Sequence, residues 1–217
     1  MPARETPADL GDRFGFVTEQ VKADLERFVV LLREWQAVHN LVSRASLEHV
    51  WTRHVVDSLQ LLSLAPETFR NWIDLGSGAG FPGLILAIAQ RMRPDRRFVL
   101  IESNHKKAAF LRAAVRQADV QAEVAAERIE TYAAARPGSA DVVSARALAS
   151  LDQLCGLAAP LLVDRCGVVL LLKGQDFALE AEVASKSWAF DMVSTPSVTD
   201  SDGRVLALRN LRRRAQP

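Results

Sequence analysis

Residues 72–84 read Trp-Ile-Asp-Leu-Gly-Ser-Gly-Ala-Gly-Phe-Pro-Gly-Leu and carry the most specific chemical signal in the chain. An apolar strand is expected to end in Asp74, glycines follow at 76, 78 and 80, and a helix begins near Gly83. Glycines let the backbone turn sharply and lie bare against a ligand, with the N–H groups of the following helix pointing at it. In a parallel sheet the carboxyl end of the first strand is the usual seat of a nucleotide. The dinucleotide fingerprint Gly-x-Gly-x-x-Gly needs its third glycine at position 81, which here is Phe81. Glu102 ends the second expected strand, where a carboxylate can accept hydrogen bonds from both hydroxyls of a ribose.

The spacing Gly-x-Gly-x-Gly behind an acid resembles the first motif of the class I S-adenosylmethionine-dependent methyltransferases. That cofactor has no pyrophosphate to neutralise, so the loop need only pack backbone against it while acids hold its polar groups. Asp74, Gly76, Gly78 and Glu102 are therefore expected at the cofactor. Methyl transfer from a sulfonium is an in-line displacement. It needs alignment, and a base only where the nucleophile must lose a proton. Enzymes that methylate exocyclic amines commonly carry Asn/Asp-Pro-Pro-aromatic after the fourth strand, whereas this chain has Ser144-Ala145-Arg146-Ala147. Methylation of a pyrimidine carbon needs a cysteine nucleophile, and neither Cys155 nor Cys166 is so placed. A nucleophile with a free lone pair remains, or one activated by another residue.

The elements that must position these groups follow from periodicity. Val21, Leu25, Phe28, Leu32 and Trp35 mark one face of a helix within 18–38, and Leu47, Val50, Trp51, Val55, Leu59 and Leu62 mark a second. Apolar runs at Trp72–Leu75, Phe98–Ile101, Val120–Ala125, Asp141–Ala145 and Val168–Leu172 read as strands. They alternate with helical stretches at about 83–92, 104–118, 127–135 and 149–163, and parallel strands need such helix-length crossovers. Two more strands, Ala189–Ser194 and Val205–Leu208, flank a turn at Thr199–Gly203. The fold class is α/β: a Rossmann-like, mostly parallel seven-stranded sheet with an antiparallel C-terminal strand. It forms a single domain, with residues 1–65 as an N-terminal helical extension and 66–217 as the cofactor-binding core.

With 217 residues the chain is long enough for one sizeable core. Lys and Arg exceed Asp and Glu by one, 27 against 26, so the overall balance does not announce a nucleic-acid binder. Arg209, Arg212, Arg213 and Arg214 form a local excess, either a solvated tail or a phosphate-contacting one. The two cysteines read as buried thiols of a reducing compartment. Six acids, Glu5, Asp9, Asp12, Glu19, Asp24 and Glu26, leave no secretory signal visible, and Val168–Leu172 is too short to span a bilayer. A soluble, cytoplasmic protein is expected. His39, His49 and His105 show no metal-ligand spacing, and no metal is expected.

Five motifs occur in series: Asn40-Leu41-Val42-Ser43, Arg53-His54-Val55-Val56-Asp57-Ser58-Leu59, Asp74–Gly83, Ser144-Ala145-Arg146-Ala147 and Leu172-Lys173-Gly174-Gln175. Together, over most of the chain, they resemble the glucose-inhibited division protein B family, the bacterial small-subunit ribosomal RNA guanine-N7 methyltransferases. Val42 stands where that family often has Thr, and Ala145 where it often has another apolar residue. The resemblance implies S-adenosylmethionine as cofactor, contacted at Gly76, Phe81, Ile129, Glu130 and Arg146. It implies as substrate a guanine in the decoding-region loop of 16S rRNA, met within a ribosomal particle by a monomeric enzyme. Guanine N7 has an in-plane lone pair and no proton, so no general base is required, but the base must be exposed to present that edge.

Asn40, Arg53, His54, Asp57 and Lys173 are the candidate catalytic group. Arg53, His54 and Asp57 can share a helix face at the rim, holding guanine or phosphate, with Asp57 also locking the N-terminal helices over the cofactor. The alternative is a helix ion pair beside a satisfied histidine. Lys173 at the carboxyl edge of the sheet suits RNA, or is merely solvated. Arg146 contacts the cofactor, bridges to Glu130, or both. Lys106, Lys107, Arg112 and Arg116 read as a solvated basic face. Two other functions stay open: methylation of a small molecule or protein, and a non-catalytic ribosome-binding module with a vestigial loop.

Overall fold

A computed structural model describes residues 7–163 and 166–215; Glu5, one of the acids counted above, lies outside the described residues. The strands are β1 (Asn71–Leu75), β2 (Arg97–Ile101), β3 (Ala122–Ala125), β4 (Val142–Arg146), β5 (Val168–Lys173), β6 (Trp188–Pro196) and β7 (Arg204–Arg213). They form one seven-stranded sheet in the order β3-β2-β1-β4-β5-β7-β6. The first five pair in parallel, while β7 lies antiparallel to both β5 and β6. Strand order reverses between β1 and β4, and in such sheets ligands enter the crevice outside the carboxyl ends at that point.

The β strands in the middle of the sheet are apolar on both faces because both faces are covered. Trp72, Val142, Leu170 and Leu172 face one core, and Ile73, Leu75, Val143, Ala145, Val169 and Leu171 face the other. The first core is shared with helices α2 (Glu19–Gln36), α5 (Gly83–Ala89) and α6 (His105–Ala118). The second is covered by α7 (Ile129–Ala135), α8 (Leu151–Ala158) and α9 (Phe177–Ser187). Thr18 caps α2 by accepting from the Val21 amide at 3.3 Å, and Val21, Leu25, Phe28 and Leu32 bury the expected stripe.

Four expectations need correction. The second N-terminal stripe is not one helix. It breaks into α3 (Arg44–Glu48), a π-helical turn at Trp51–Val56, α4 (Asp57–Leu59) and a 3-10 turn at Gln60–Ser63. Two helices were not expected at all, α1 (Pro7–Arg13) and α9. In α9, Leu179 and Val183 are exposed, which blurs the apolar stripe that would have announced it. Finally, β7 runs through the arginine segment instead of ending at Leu208. Of the cysteines, Cys155 is buried, with burial pushing its thiol up to about 12, but Cys166 is exposed.

Candidate active site

Gly76, Gly78 and Gly80 take φ values of 63°, 55° and 91°, the left-handed region in which a side chain is strained. This lets the chain leave β1, fold back over its end and enter α5. Gly83 is needed for a different reason: a Cβ there would lie 2.6 Å from the Cβ of Asp74 and 2.5 Å from Leu100 Cδ2. Asp74 is fully buried beneath this turn. Its Oδ1 accepts from the Ser144 hydroxyl at 2.6 Å, and that hydroxyl in turn accepts from Trp72 Nε1 at 2.8 Å. Asp74 Oδ2 has no partner among the described residues. Burial raises the Asp74 carboxyl to about 6, against the opposing Ser144 hydrogen bond. Asp74 therefore braces the loop from below and does not line a cleft.

The Glu102 carboxylate stands at the end of β2, with Oε2 accepting from the Gly78 amide at 2.9 Å and Oε1 from Asn104 N at 2.8 Å. It borders a cleft of about 690 Å³ over the carboxyl edge, within the size range of cofactor sites. Gly76, Gly78, Ile129, Glu130, Arg146 and the Ala147–Ala149 turn complete its walls. An adenosine-sized ligand fits this set chemically: a bare glycine backbone, a carboxylate at the ribose position, and the apolar side chains of Ile129 and Leu157 for a ring face.

A second cleft of about 280 Å³ opens on the other side of the glycine loop. Its walls are Leu41, Val42, Ser43 and Ser46 from the turn after α2, together with His54 and Phe81. Gln36 shapes that turn: its Nε2 donates to Val42 O at 2.9 Å, and its Oε1 accepts from the Leu41 and Val42 amides at 2.9 and 3.0 Å. The His54 ring stacks on Phe81 at 4.5 Å. The two clefts share Gly76, Gly78, Lys107, Arg146 and Ala147.

Arg146 joins the halves of the molecule. Its Nη1 donates to the Arg53 carbonyl at 2.7 Å and lies 3.8 Å from Asp57 Oδ2, and its Nη2 donates to His54 Nδ1. A guanidinium cannot accept, so His54 Nδ1 is the acceptor and the proton of the neutral ring sits on Nε2. Burial, then the nearby Arg146 and Arg53 charges, lower His54 to about 3. Asp57 accepts from Gln60 Nε2 at 2.8 Å, Ser197 Oγ at 3.4 Å and Thr199 Oγ1, fastening the N-terminal helices to the β6–β7 loop. Burial raises the Asp57 carboxyl, against the Thr199 hydrogen bond and the Arg146 charge.

The structure thus brings Gly76, Gly78, Phe81, Glu102, Ile129, Glu130, His54 and Arg146 to the two clefts, with Asp57 behind Arg146. Arg53 and Asn40 are exposed and line neither cleft, whereas His54 and Asp57 both meet Arg146, so only part of the expected shared face forms. Arg53 and His54 lie in the π-helical turn at Trp51–Val56, whose spacing departs from that of an α-helix. Lys173 is not free for RNA: its Nζ donates to Ala149 O at 2.8 Å and to Glu180 Oε2 at 2.6 Å, holding the β4–α8 turn. Arg146 bridges to Asp57, not to Glu130. Sequence reasoning missed Gln36, Ser46 and Glu180. Lys107, expected on a solvated face with Lys106, Arg112 and Arg116, borders both clefts.

The sheet order, the glycine turn and the acid after β2 are those of the class I S-adenosylmethionine-dependent methyltransferases. Similar folds include cofactor-bound Rv0187 from MTB, with TM-score 0.60 and 18% identity over 95% of this chain and 98% of that one. Another is the O-methyltransferase TomG from Streptomyces achromogenes in complex with SAM, with TM-score 0.57 and 18% identity over 88% and 90%. A family model described as rRNA small subunit methyltransferase G matches residues 21–208. The relatives named ribosomal RNA small subunit methyltransferase G from Cereibacter sphaeroides ATCC 17029 and Methylobacterium sp. 4-46 are 44% and 47% identical. They cover 90% of this chain in each case, and 93% and 91% of their own lengths. The chain belongs to the rRNA small subunit methyltransferase G family and is an S-adenosylmethionine-dependent methyltransferase.

Proposed function

We propose that this enzyme methylates N7 of a guanine in 16S ribosomal RNA. The reading rests on the family and on one observation: the two clefts meet at Gly76, Gly78, Lys107, Arg146 and Ala147, the place where a methyl donor and an acceptor base can face each other. S-adenosylmethionine, when bound, supplies an electrophilic methyl group. Glu102 would accept from its ribose, Ile129 and Glu130 would border its adenine, and Gly76, Gly78 and Phe81 would pack against the remainder. Asp74 acts one layer below, by holding the loop.

N7 needs no base to remove a proton, and no carboxylate stands free at the junction to do so. His54, neutral at working pH, leaves Arg146 and Lys107 as the cations there. As N7 is alkylated the purine becomes cationic. Asp57 offsets the Arg146 charge, which lowers the junction's opposition to that cation. Arg146 and Asp57 then act as positioning residues, and Lys173 acts through Glu180 on the cleft wall. The enzyme is read as a single monomeric domain, residues 1–65 extending the 66–217 core, that works in the cytoplasm on the rRNA of a ribosomal particle. No helix among the described residues is long and apolar enough to cross a membrane.

Labelled S-adenosylmethionine and unmodified small subunits test the reading, with borohydride–aniline cleavage to locate the product. Label at a single guanine N7 is expected. Label on protein alone, or on another base atom, would overturn it.

A further inference from the structure

The arginine run at the end of the chain is not a frayed tail. β7 is antiparallel to β5, with Arg204 opposite Lys173 at the cleft edge and Leu208 opposite Val169 at the other edge. Residues beyond 208 pass the start of β5 and pair only with β6, Arg209 opposite Asp191, Arg212 opposite Ala189 and Arg213 opposite Trp188. At about 3.3 Å per residue, β7 carries these arginines from about 17 Å (Arg209) to about 30 Å (Arg213) from its cleft end at Arg204. Arg214 fastens the projection, its Nε donating to Ser185 O at 2.7 Å and Trp188 O at 3.1 Å, and Arg213 lies over the Trp188 ring at 5.8 Å.

Arg209, Arg212, Arg213 and Arg214 are all exposed, and none has an ion pair among the described residues. The nearest acid across the ladder, Asp191, is held by Asn210 Nδ2 at 2.5 Å. Four fixed like charges within six residues repel one another unless a polyanion covers them. The match to the family model ends at residue 208, one residue before the run begins. A chain with net charge +1 draws a nucleic acid by local patches only, and this is its densest run of cations.

We propose that the β6–β7 end is a second RNA-docking surface, which grips the phosphate backbone of rRNA on the side of the sheet opposite the reacting cleft. This rests on the reading that rRNA is the substrate. Arginine suits the task because its planar fork binds phosphate oxygens through paired hydrogen bonds. Contacts about 17–30 Å from the cleft end of β7 fall on a different stretch of RNA from the one presenting the guanine. The surface would therefore recognise a folded RNA by its backbone and leave the choice of base to the cleft.

The test compares the wild-type protein with Arg209→Gln/Arg212→Gln, leaving Arg213 and Arg214 to hold the strand end. Binding to deproteinised, unmodified 16S rRNA is measured against salt, and S-adenosylhomocysteine affinity by calorimetry. Two lost phosphate contacts should flatten the slope of log affinity against log salt by about 1.4–1.8 and weaken low-salt binding roughly tenfold, with S-adenosylhomocysteine affinity unchanged. Arg209→Lys/Arg212→Lys should restore most of the slope. An unchanged slope overturns the proposal, and so does a loss that lysine does not restore or one seen only with intact subunits. A wild-type protein that binds rRNA but places no methyl on guanine N7 would overturn the function above and leave this surface standing.

Discussion

Gly83 and Gly78 sit five residues apart in one loop and fail for opposite reasons when substituted. A Cβ at Gly83 meets Leu100 Cδ2 at 2.5 Å and the Asp74 side chain at 2.6 and 2.8 Å, inside a packed core. Gly83→Ala should cost about 1–3 kcal/mol in urea unfolding, the usual penalty of overpacking. A Cβ at Gly78 finds only Gly76 O at 3.8 Å, so Gly78→Asp should cost about 1–2 kcal/mol of backbone strain. It should nevertheless abolish S-adenosylmethionine binding in calorimetry, because a charged side chain enters both clefts. The titrating residues also oppose each other. Folding holds His54 near 3 instead of 6.5, so the unfolded chain takes that proton first and stability is lost as pH falls from 6.5 toward 3. Folding holds Asp74 near 6 instead of 3.8, so its contribution runs the other way, with stability rising as pH falls from 6 to 3.8. Urea midpoints between pH 4 and 7 should show a shallower acid loss in His54→Gln. In Asp74→Asn, any gain over wild type should be largest above pH 6.

At the scale of elements, the two clefts depend on ties between segments far apart in the chain. Arg146 on β4 reaches Arg53, His54 and Asp57 on the N-terminal helices, and Asp57 reaches Ser197 and Thr199 beyond β6. Arg146→Met should leave the sheet folded but free the helices around the π-helical turn, read as faster tryptic cleavage at Arg44 and Arg53. Glu180 on α9 ties Lys173 to the amide that begins α8, at 2.6 and 2.7 Å. This wall was invisible beforehand because α9 was. Its exposed Leu179 and Val183 break the periodicity that made α2 and α6 legible.

For the whole molecule, the N-terminal helices are part of the core. Phe28 on α2 is 1% exposed and packs edge-on against Phe81 of the glycine loop at 5.6 Å, and against Phe110 of α6 at 6.1 Å. Phe28→Ala should cost about 3–5 kcal/mol and weaken cofactor affinity together with stability, since the cavity opens behind the loop. Calorimetric titration alongside denaturation checks that both losses appear in one variant.

The sequence by itself determined the β-α alternation, the glycine turn, Glu102 at the end of β2 and the apolar faces of α2 and α6. Each is set by period, backbone freedom or strand ends, which are local properties. Its motif series also marked the family. Only the tertiary structure decided that Asp74 lies beneath the loop and that Lys173 is bound to Glu180. It also decided that Arg146 pairs with Asp57 instead of Glu130, and that the arginine run continues a strand. Those outcomes depend on which partner lies within hydrogen-bonding reach, across 70 residues for Asp74, 92 for the Arg146–His54 contact and only seven for Lys173, or on a ladder supplied by a neighbouring strand. Side-chain type alone carries no record of that reach.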